Sequence, residues 1–215
     1  MPARTYGYYD PLAQALDVAG ERWAILIVRE LMSGATRYGD IAARLPGLGT
    51  ARLADRLKEM QDAGLVEQSD GYRLTVEGLA LGPAVYTLTR FGLRRLRPIA
   101  GTAVVFRPSF GAFALRACAD AVCWTRERFS SLTIVEDQAF ILSASKSGVT
   151  TEAAGIDAAH RAQLTVALDT VSALALATRQ QTVHATLTAA ELTTTAPARV
   201  LRSWAEAHGL IYQRK

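Results

Sequence analysis

The segment that most constrains the fold of this chain is residues 48–64, LGTARLADRLKEMQDAG. Thr50 stands where a helix N-cap hydroxyl is expected, and Gly64 stands where a left-handed C-cap residue is expected. Between them one apolar stripe recurs at helical spacing, formed by Leu53, Leu57 and Met60. The basic residues lie away from that stripe: Arg52, Arg56 and Lys58. The segment therefore predicts a helix with one packing face and one basic face.

A basic helix face alone is most often a solvated surface, so the neighbouring segments decide its meaning. Upstream, residues 38–45 predict a short helix that ends at Pro46-Gly47. Downstream, residues 65–68 and 72–75 are short extended runs on either side of Ser69-Asp70-Gly71, and Asp-Gly favours a hairpin turn. The order helix, turn, helix, hairpin predicts a winged helix in which residues 50–63 form the DNA-recognition helix.

The charge distribution is compatible with an anionic partner but does not require one. The chain carries a net charge of +4, of which +3 lies in residues 1–107 and +1 in residues 108–215. We expect Arg52 and Arg56 to make most of the side-chain contact with DNA, because they lie one turn apart near the start of the helix. Other expected interface residues are Arg37, Tyr38, Thr50, Ala51, Asp55 and Arg73. Of these, Arg37, Tyr38, Thr50 and Arg73 are expected mainly on phosphates, and Asp55 is expected to orient Arg56.

Three further helices are predicted in the first half. Asp10-Pro11 opens the first, with Leu12, Leu16 and Ala19 facing inward. The second, residues 21–32, is nearly all apolar, and its core candidates are Trp23, Ile25, Leu26, Ile27 and Leu31. The third, residues 76–96, is capped by Thr75 and carries the stripe Leu81, Val85, Leu88 and Phe91. The arginines at its end, Arg90, Arg94, Arg95 and Arg97, are read as a solvated helix end.

These segments together resemble the HxlR family of bacterial winged helix regulators over about residues 9–96. The resemblance is carried by LAQALDVAGERWAILIVRELMSG, RYGDI, LPGLGT, LADRLKEMQDAGLV and YRLTVEG in this order. It implies a homodimeric transcription factor, usually a repressor, whose first helix and residues 76–96 form part of the dimer interface. Members that sense oxidants carry a cysteine just before the first helix, where this chain has Tyr8-Tyr9-Asp10-Pro11. The wing is also short for the family, and Arg73 is its single cation.

The second half shows a different pattern after a Pro- and Gly-rich linker at residues 98–111. A helix is predicted at 113–128 and a second at 169–177, capped by Asp169. Strands are predicted at 132–135, 139–145, 148–152, 163–168 and 191–195, and a last helix at 197–208. The order of these elements, with LTVALDTVSALAL and AAELTTTAPARVLRSWA, resembles the sterol-carrier-protein-like domain over about residues 110–210. That resemblance implies a five-stranded sheet covered by helices around a cavity for lipids or other hydrophobic molecules.

The predicted architecture is therefore α+β, with a winged helix-turn-helix domain at 1–97, a linker at 98–111 and a sterol-carrier-like effector domain at 112–215. Candidate ligand contacts are the aromatic side chains of the second half: Phe110, Phe113, Trp124, Phe129, Phe140 and Trp204. Each of these residues alone is more often ordinary core than a pocket wall. The resemblance gives this domain a reason to leave its interior partly open to an apolar guest.

Motifs for catalysis or metal binding are not found in the sequence. His160, His184 and His208 have no acidic or cysteine neighbour at ligand spacing, and Cys118 and Cys123 do not share a helix face. A glycine-rich phosphate loop, a Gly-x-Ser-x-Gly elbow and a paired-carboxylate signature are all absent. We therefore expect neither enzymatic activity nor a cofactor, and no thiol-based redox switching. Without a signal peptide or an apolar run of about 18 residues, we expect a cytoplasmic protein that does not enter the membrane.

Two functions fit this sequence. The first is a one-component transcription regulator, a repressor, that binds operator DNA as a homodimer and responds to a hydrophobic small molecule. The alternative is a carrier of lipids or hydrophobic metabolites whose winged helix serves protein association. A mobility-shift assay with DNA from upstream of the gene distinguishes the two.

Overall fold

The structure of the protein, a computed structural model, describes residues 5–96, 107–120, 125, 127–180, 191–194 and 198–208, with only the backbone at 191–194 and 198. The chain forms two compact units, Met1–Val85 and Tyr86–Lys215. The division falls inside a helix and not in the expected linker at 98–111. Residues 97–106 of that linker lie outside the described residues. Among the described residues, no helix is long and apolar enough to cross a membrane.

The first unit contains helices and one hairpin: α1 (Pro11–Ala19), α2 (Ala24–Met32), α3 (Tyr38–Arg44), α4 (Thr50–Asp62), β1 (Val66–Gln68), β2 (Tyr72–Leu74), α5 (Val76–Ala80) and the start of α6 (Gly82–Leu93). Asp10 caps α1 as predicted, because its Oδ2 accepts the N–H of Ala13 at 2.7 Å. The inner face of α1 differs from the prediction. Ala13 and Ala19 are buried, whereas Leu12 and Leu16 are 67% and 41% exposed.

Helix α2 begins at Ala24, three residues later than predicted, because residues 21–23 form a turn. Its buried residues are Ala24, Ile27, Val28 and Glu30. Of the predicted core residues only Ile27 is fully buried, and the others are half-buried: Trp23, Ile25, Leu26 and Leu31. The apolar composition of the segment predicted a central helix correctly but did not reveal which side of the helix faces inward.

The helix-turn-helix forms as predicted. Gly47 adopts a φ of +90° in the turn after α3, a backbone conformation that favours glycine. The stripe of α4 is buried in full: Leu53, Leu57 and Met60. At the end of α4, Gly64 has a φ of +72° and donates its N–H to Gln61, while Leu65 donates to Met60. These two hydrogen bonds form a Schellman motif, so Gly64 ends α4 in the left-handed conformation that the sequence predicted.

The wing is an antiparallel hairpin of β1 and β2, closed at Ser69-Asp70-Gly71. Beyond it the Thr75 hydroxyl accepts the N–H of Gly78 at 3.1 Å and caps α5, as predicted. The predicted single helix over 76–96 is instead two helices, α5 and α6, divided at Leu81. Two members of its predicted stripe, Leu88 and Phe91, are more than half exposed.

The second unit is built on a five-stranded sheet of order β5-β4-β3-β6-β7. The strands are β3 (Phe129–Val135), β4 (Gln138–Ser145), β5 (Gly148–Ala154), β6 (Leu164–Leu168) and β7 (Glu191–Thr194). Neighbouring strands are antiparallel except β3 and β6, which run parallel. The helices are α7 (Pro108–Ala119), α8 (Thr170–Ala177) and α9 (Ala198–Ala207). The predicted helix at 113–128 therefore begins and ends earlier than expected.

The core of this unit lies between one face of the sheet and helices α7, α8 and α9, where Phe129, Phe140 and Trp204 pack in a single cluster. The second part of α6 belongs to the same unit. There Arg90 donates to the Ala117 carbonyl at 2.7 Å and to Asp120 at 3.0 Å. Arg90 was expected on a solvated helix end, but these contacts join α6 to α7. The sequence showed a cluster of arginines but did not reveal that one of them has partners about thirty residues away.

Candidate DNA interface and ligand site

The start of helix α4 is held in place by α3 and not by a side-chain cap. The N-cap residue is Gly49, so Thr50 is the first helical residue and not the cap that the sequence predicted. The Tyr38 hydroxyl donates to the Thr50 carbonyl at 2.6 Å. Tyr38 therefore fixes the first turn of α4 against the first turn of α3. Thr50 itself remains exposed.

The outer side of the first two turns of α4 presents Ala51, Arg52 and Asp55 to solvent. In the part of the chain that the structure describes, Arg52 has no hydrogen-bond or ion-pair partner. Arg52 lies opposite the buried stripe, as predicted. An unpaired guanidinium near the start of the second helix of a helix-turn-helix is the group that reads base edges in such domains.

Arg56 differs from the prediction, because its guanidinium is already paired. It is half-buried, its Nε lies 3.3 Å from Glu21 Oε2, and its Nη1 forms an ion pair with Glu59. Asp55, which was expected to orient Arg56, is not its partner. The contact with Glu21 joins α4 to the turn before α2. Arg56 is thus placed to position α4, with its charge balanced by two carboxylates.

Two of the expected phosphate contacts, Arg37 and Arg73, lie outside α4, and both are exposed. Arg37 occupies the N-cap position of α3 with an extended backbone, and Arg73 lies in the middle of β2 opposite Glu67 of β1. The wing is held to the rest of the domain at its turn end, where the Tyr72 N–H donates to the Thr36 carbonyl at 2.7 Å. Strand β2, which carries Arg73, is therefore held next to Thr36, the residue that precedes Arg37.

A buried carboxylate behind the interface was not predicted. Glu30 on α2 is fully buried and accepts from Arg29 Nε at 2.8 Å. Its other oxygen lies 3.9 Å from Nη1 of Arg44 at the end of α3. Arg44 also donates to the Ser33 carbonyl at 3.4 Å. These contacts connect α2 to the first helix of the helix-turn-helix. The adjacent charges of Arg29 and Glu30 within an apolar helix were the available sequence signal.

This arrangement of helices and hairpin corresponds to a known family. Residues 18–100 match the HxlR-like helix-turn-helix family. The uncharacterized HTH-type transcriptional regulator YvaP of Bacillus subtilis is 32% identical over 40% of this chain and 86% of its own length. The chain belongs to the HxlR-like family.

Two other proteins are similar to this chain. The HTH-type transcriptional regulator YodB of B. subtilis is 32% identical over 38% of this chain and 67% of its length. The crystal structure of quinone-bound YodB covers 40% of this chain and 96% of its own, at 33% identity and a TM-score of 0.35. The crystal structure of PA1607 covers 47% and 76%, at 31% identity and a TM-score of 0.39.

The aromatic residues expected to contact a ligand are mostly deep in the second unit. Phe113, Phe129, Phe140 and Trp204 are buried, Phe110 is half-buried, and Trp124 lies outside the described residues. Phe113 packs on the Tyr86 ring with centroids 5.1 Å apart. The structure therefore brings Phe129, Phe140 and Trp204 together and places Phe113 against α6. The likeness to sterol-carrier proteins remains a prediction.

A polar group lies within this aromatic cluster. Trp204 Nε1 donates to the Thr133 hydroxyl at 3.1 Å, and the His208 ring lies 4.4 Å from the Trp204 ring, centroid to centroid. His208 is 1% exposed, and burial lowers its pKa to about 4. We expected no metal-ligand role for His208, and the structure places its ring in the core, one helical turn after Trp204.

The Cys118 thiol, for which we expected no redox switching, is partly shielded from solvent. Cys118 is half-buried on α7, and burial raises the pKa of its thiol. A raised pKa lowers the fraction of thiolate, which is the reactive form. Cys123 lies outside the described residues. The absence of thiol-based switching stays a prediction.

Proposed function

We propose that this protein is a transcription regulator that binds double-stranded operator DNA with helix α4 in the major groove. The observation that carries the proposal is the exposed first half of α4, where Arg52 is unpaired among the described residues. In this arrangement Arg52 contacts base edges and Ala51 lies close to them. Arg37, Thr50 and Arg73 contact phosphates, and Tyr38 stands at the same surface while it orients Thr50.

We further propose that the protein acts as a homodimer. The supporting observation is the apolar surface that α1 and α6 each leave exposed: Leu12 and Leu16 on α1, and Leu88 and Phe91 on α6. Large apolar side chains exposed on one helix face are typical of an interface. A two-fold dimer presents two copies of α4 to two half-sites about one turn of DNA apart. Sedimentation equilibrium measures the oligomeric state directly.

The second unit is proposed to bind a hydrophobic effector and so to control a repressor. The supporting observation is the aromatic cluster around Trp204, in which Phe129 and Phe140 also lie. Control requires that the ligand favour one dimer geometry over the other, typically by about 1–3 kcal/mol. The expected result is a change in operator affinity when ligand binds.

A mobility-shift assay on DNA from upstream of the gene tests the regulator, first alone and then with hydrophobic ligands. A specific shift that competitor DNA does not remove supports operator binding. Ligand binding without any specific DNA binding would favour the carrier of hydrophobic metabolites instead. Reporter expression with and without the protein then tests repression.

A further inference from the structure

The buried polar atoms of the second unit that have no hydrogen-bond partner among the described residues include His208 Nε2 and Ser131 Oγ. Both side chains are more than nine-tenths buried. An unpaired polar atom in a protein interior typically costs about 1–3 kcal/mol, so such atoms are rare unless something pairs with them. They lie on the side of the sheet that faces the helices, because Ser131 shares a strand face with Phe129 and Thr133.

The hydrogen bonding of His208 determines which partner its free nitrogen requires. Nδ1 lies 2.8 Å from the Trp204 carbonyl oxygen, which only accepts hydrogen bonds. Nδ1 therefore carries the proton, and Nε2 of the neutral ring presents a lone pair. The group that completes this site must be a donor, either O–H or N–H. The Ser131 hydroxyl can either donate or accept a hydrogen bond, so it does not further limit which chemical group can bind here.

The side chains around His208 indicate that the rest of the molecule that binds there is apolar. His208 lies between Trp204 and Phe140, whose ring centroids are 4.4 Å and 6.1 Å from that of the imidazole. The Trp204 N–H is already used by Thr133. The cluster that contains Phe140 and Trp204 includes the apolar side chains of Leu142, Leu164 and Ala205. An ion would lose its hydration among these side chains, whereas a neutral hydroxyl on an apolar body would gain a hydrogen bond.

We infer that the second unit binds a neutral apolar molecule that carries a hydroxyl group, and that this hydroxyl donates its hydrogen bond to His208 Nε2. The inference rests on the proposed effector role of this unit and specifies the chemical class of the effector. His208 follows the last residue of α9, and its backbone N–H donates to the Ala205 carbonyl at 3.2 Å.

The test compares two probes that differ only in the hydrogen-bond donor, 2-naphthol and its methyl ether 2-methoxynaphthalene. Titration calorimetry with the full chain measures both affinities. We expect 2-naphthol to bind about tenfold more tightly, which corresponds to about 1.4 kcal/mol. In His208→Phe, which keeps an aromatic ring but removes the acceptor, the two affinities should lie within about twofold. His160→Gln, at an exposed histidine, is the matched control and should retain the full preference.

A spectroscopic measurement on the unmodified protein keeps the test valid if His208→Phe does not fold. With ¹⁵N-labelled histidine, 2-naphthol should shift the Nε2 resonance of His208, and the ether should leave that resonance unchanged. Equal affinities of the two probes would overturn the hydroxyl site but leave the effector proposal in place. If neither probe binds and the resonance does not move, both the inference and the effector proposal fail. A buried water molecule would then be the hydrogen-bond partner of His208 Nε2 and Ser131 Oγ.

Discussion

Replacing Arg52 by alanine is the most direct test of the assignment of α4 as the recognition helix. Its side chain is exposed and unpaired among the described residues, so its loss should not disturb the domain. An arginine contact to a base edge contributes about 1–3 kcal/mol. A homodimer uses the residue in both half-sites, so the expected loss is about 2–6 kcal/mol, or at least about 30-fold in operator affinity.

The chain offers a matched control on the same helix. Lys58 is 75% exposed, and it pairs with Asp62 at 3.4 Å. Lys58→Ala removes the same charge as Arg52→Ala but lies two turns further from the start of α4, so we expect an effect below about threefold. Arg56→Ala serves as a second comparison. Because its guanidinium is paired with Glu21 and Glu59, its loss should lower stability by at most about 1 kcal/mol and weaken DNA binding less than Arg52→Ala.

The assay is fluorescence anisotropy on an operator mapped by footprinting, at one fixed salt concentration because phosphate contacts depend strongly on salt. Circular dichroism and sedimentation establish that each variant is a folded dimer. If Arg52→Ala binds within about threefold of the parent, or if Lys58→Ala loses as much affinity as Arg52→Ala, α4 does not enter the major groove in the proposed way.

Three further predictions concern stability. Glu30→Gln weakens the hydrogen bonds and ion pairs that Glu30 forms with Arg29 and Arg44, so the free energy of unfolding in urea should fall by about 2 kcal/mol; an unchanged midpoint would mean that these contacts do not stabilise the domain. Gly78→Ala should lower thermal stability strongly, because the added Cβ would lie 2.1 Å from the Leu65 carbonyl oxygen. Gly39→Ala, whose Cβ meets nothing within 4 Å among the described residues, should be neutral or stabilise by up to about 1 kcal/mol, and equal losses in both variants would contradict the packing at Gly78. Finally, because burial holds the pKa of His208 at about 4, below its unfolded value of about 6.5, the unfolded state takes up the proton first as the pH falls. The free energy of unfolding should therefore decrease by about 2 kcal/mol from about pH 7.5 to about pH 5, and a decrease of the same size in His208→Phe would assign it to other groups.

The winged helix could be predicted from the sequence because its signals are local. Gly64 and Thr75 act within one or two turns of their own positions, and the hairpin turn at Asp70-Gly71 joins two strands that are adjacent in sequence. The stripe of Leu53, Leu57 and Met60 follows from helical periodicity alone. Such features depend on backbone conformation and on spacing along one element, and both are properties of short segments.

The tertiary structure decided which side chains are available and which are paired. Arg52 and Arg56 are one turn apart and equivalent by pattern, but Arg56 is held by Glu21, thirty-five positions earlier in the chain. Leu12 fits an inward stripe equally well by periodicity, and yet it is exposed. His208 has an ordinary sequence context and becomes a buried, neutral acceptor only because Trp204 and Phe140 pack on its ring. Pairing energy and burial depend on partners that are distant in sequence, so a pattern within one helix does not determine them.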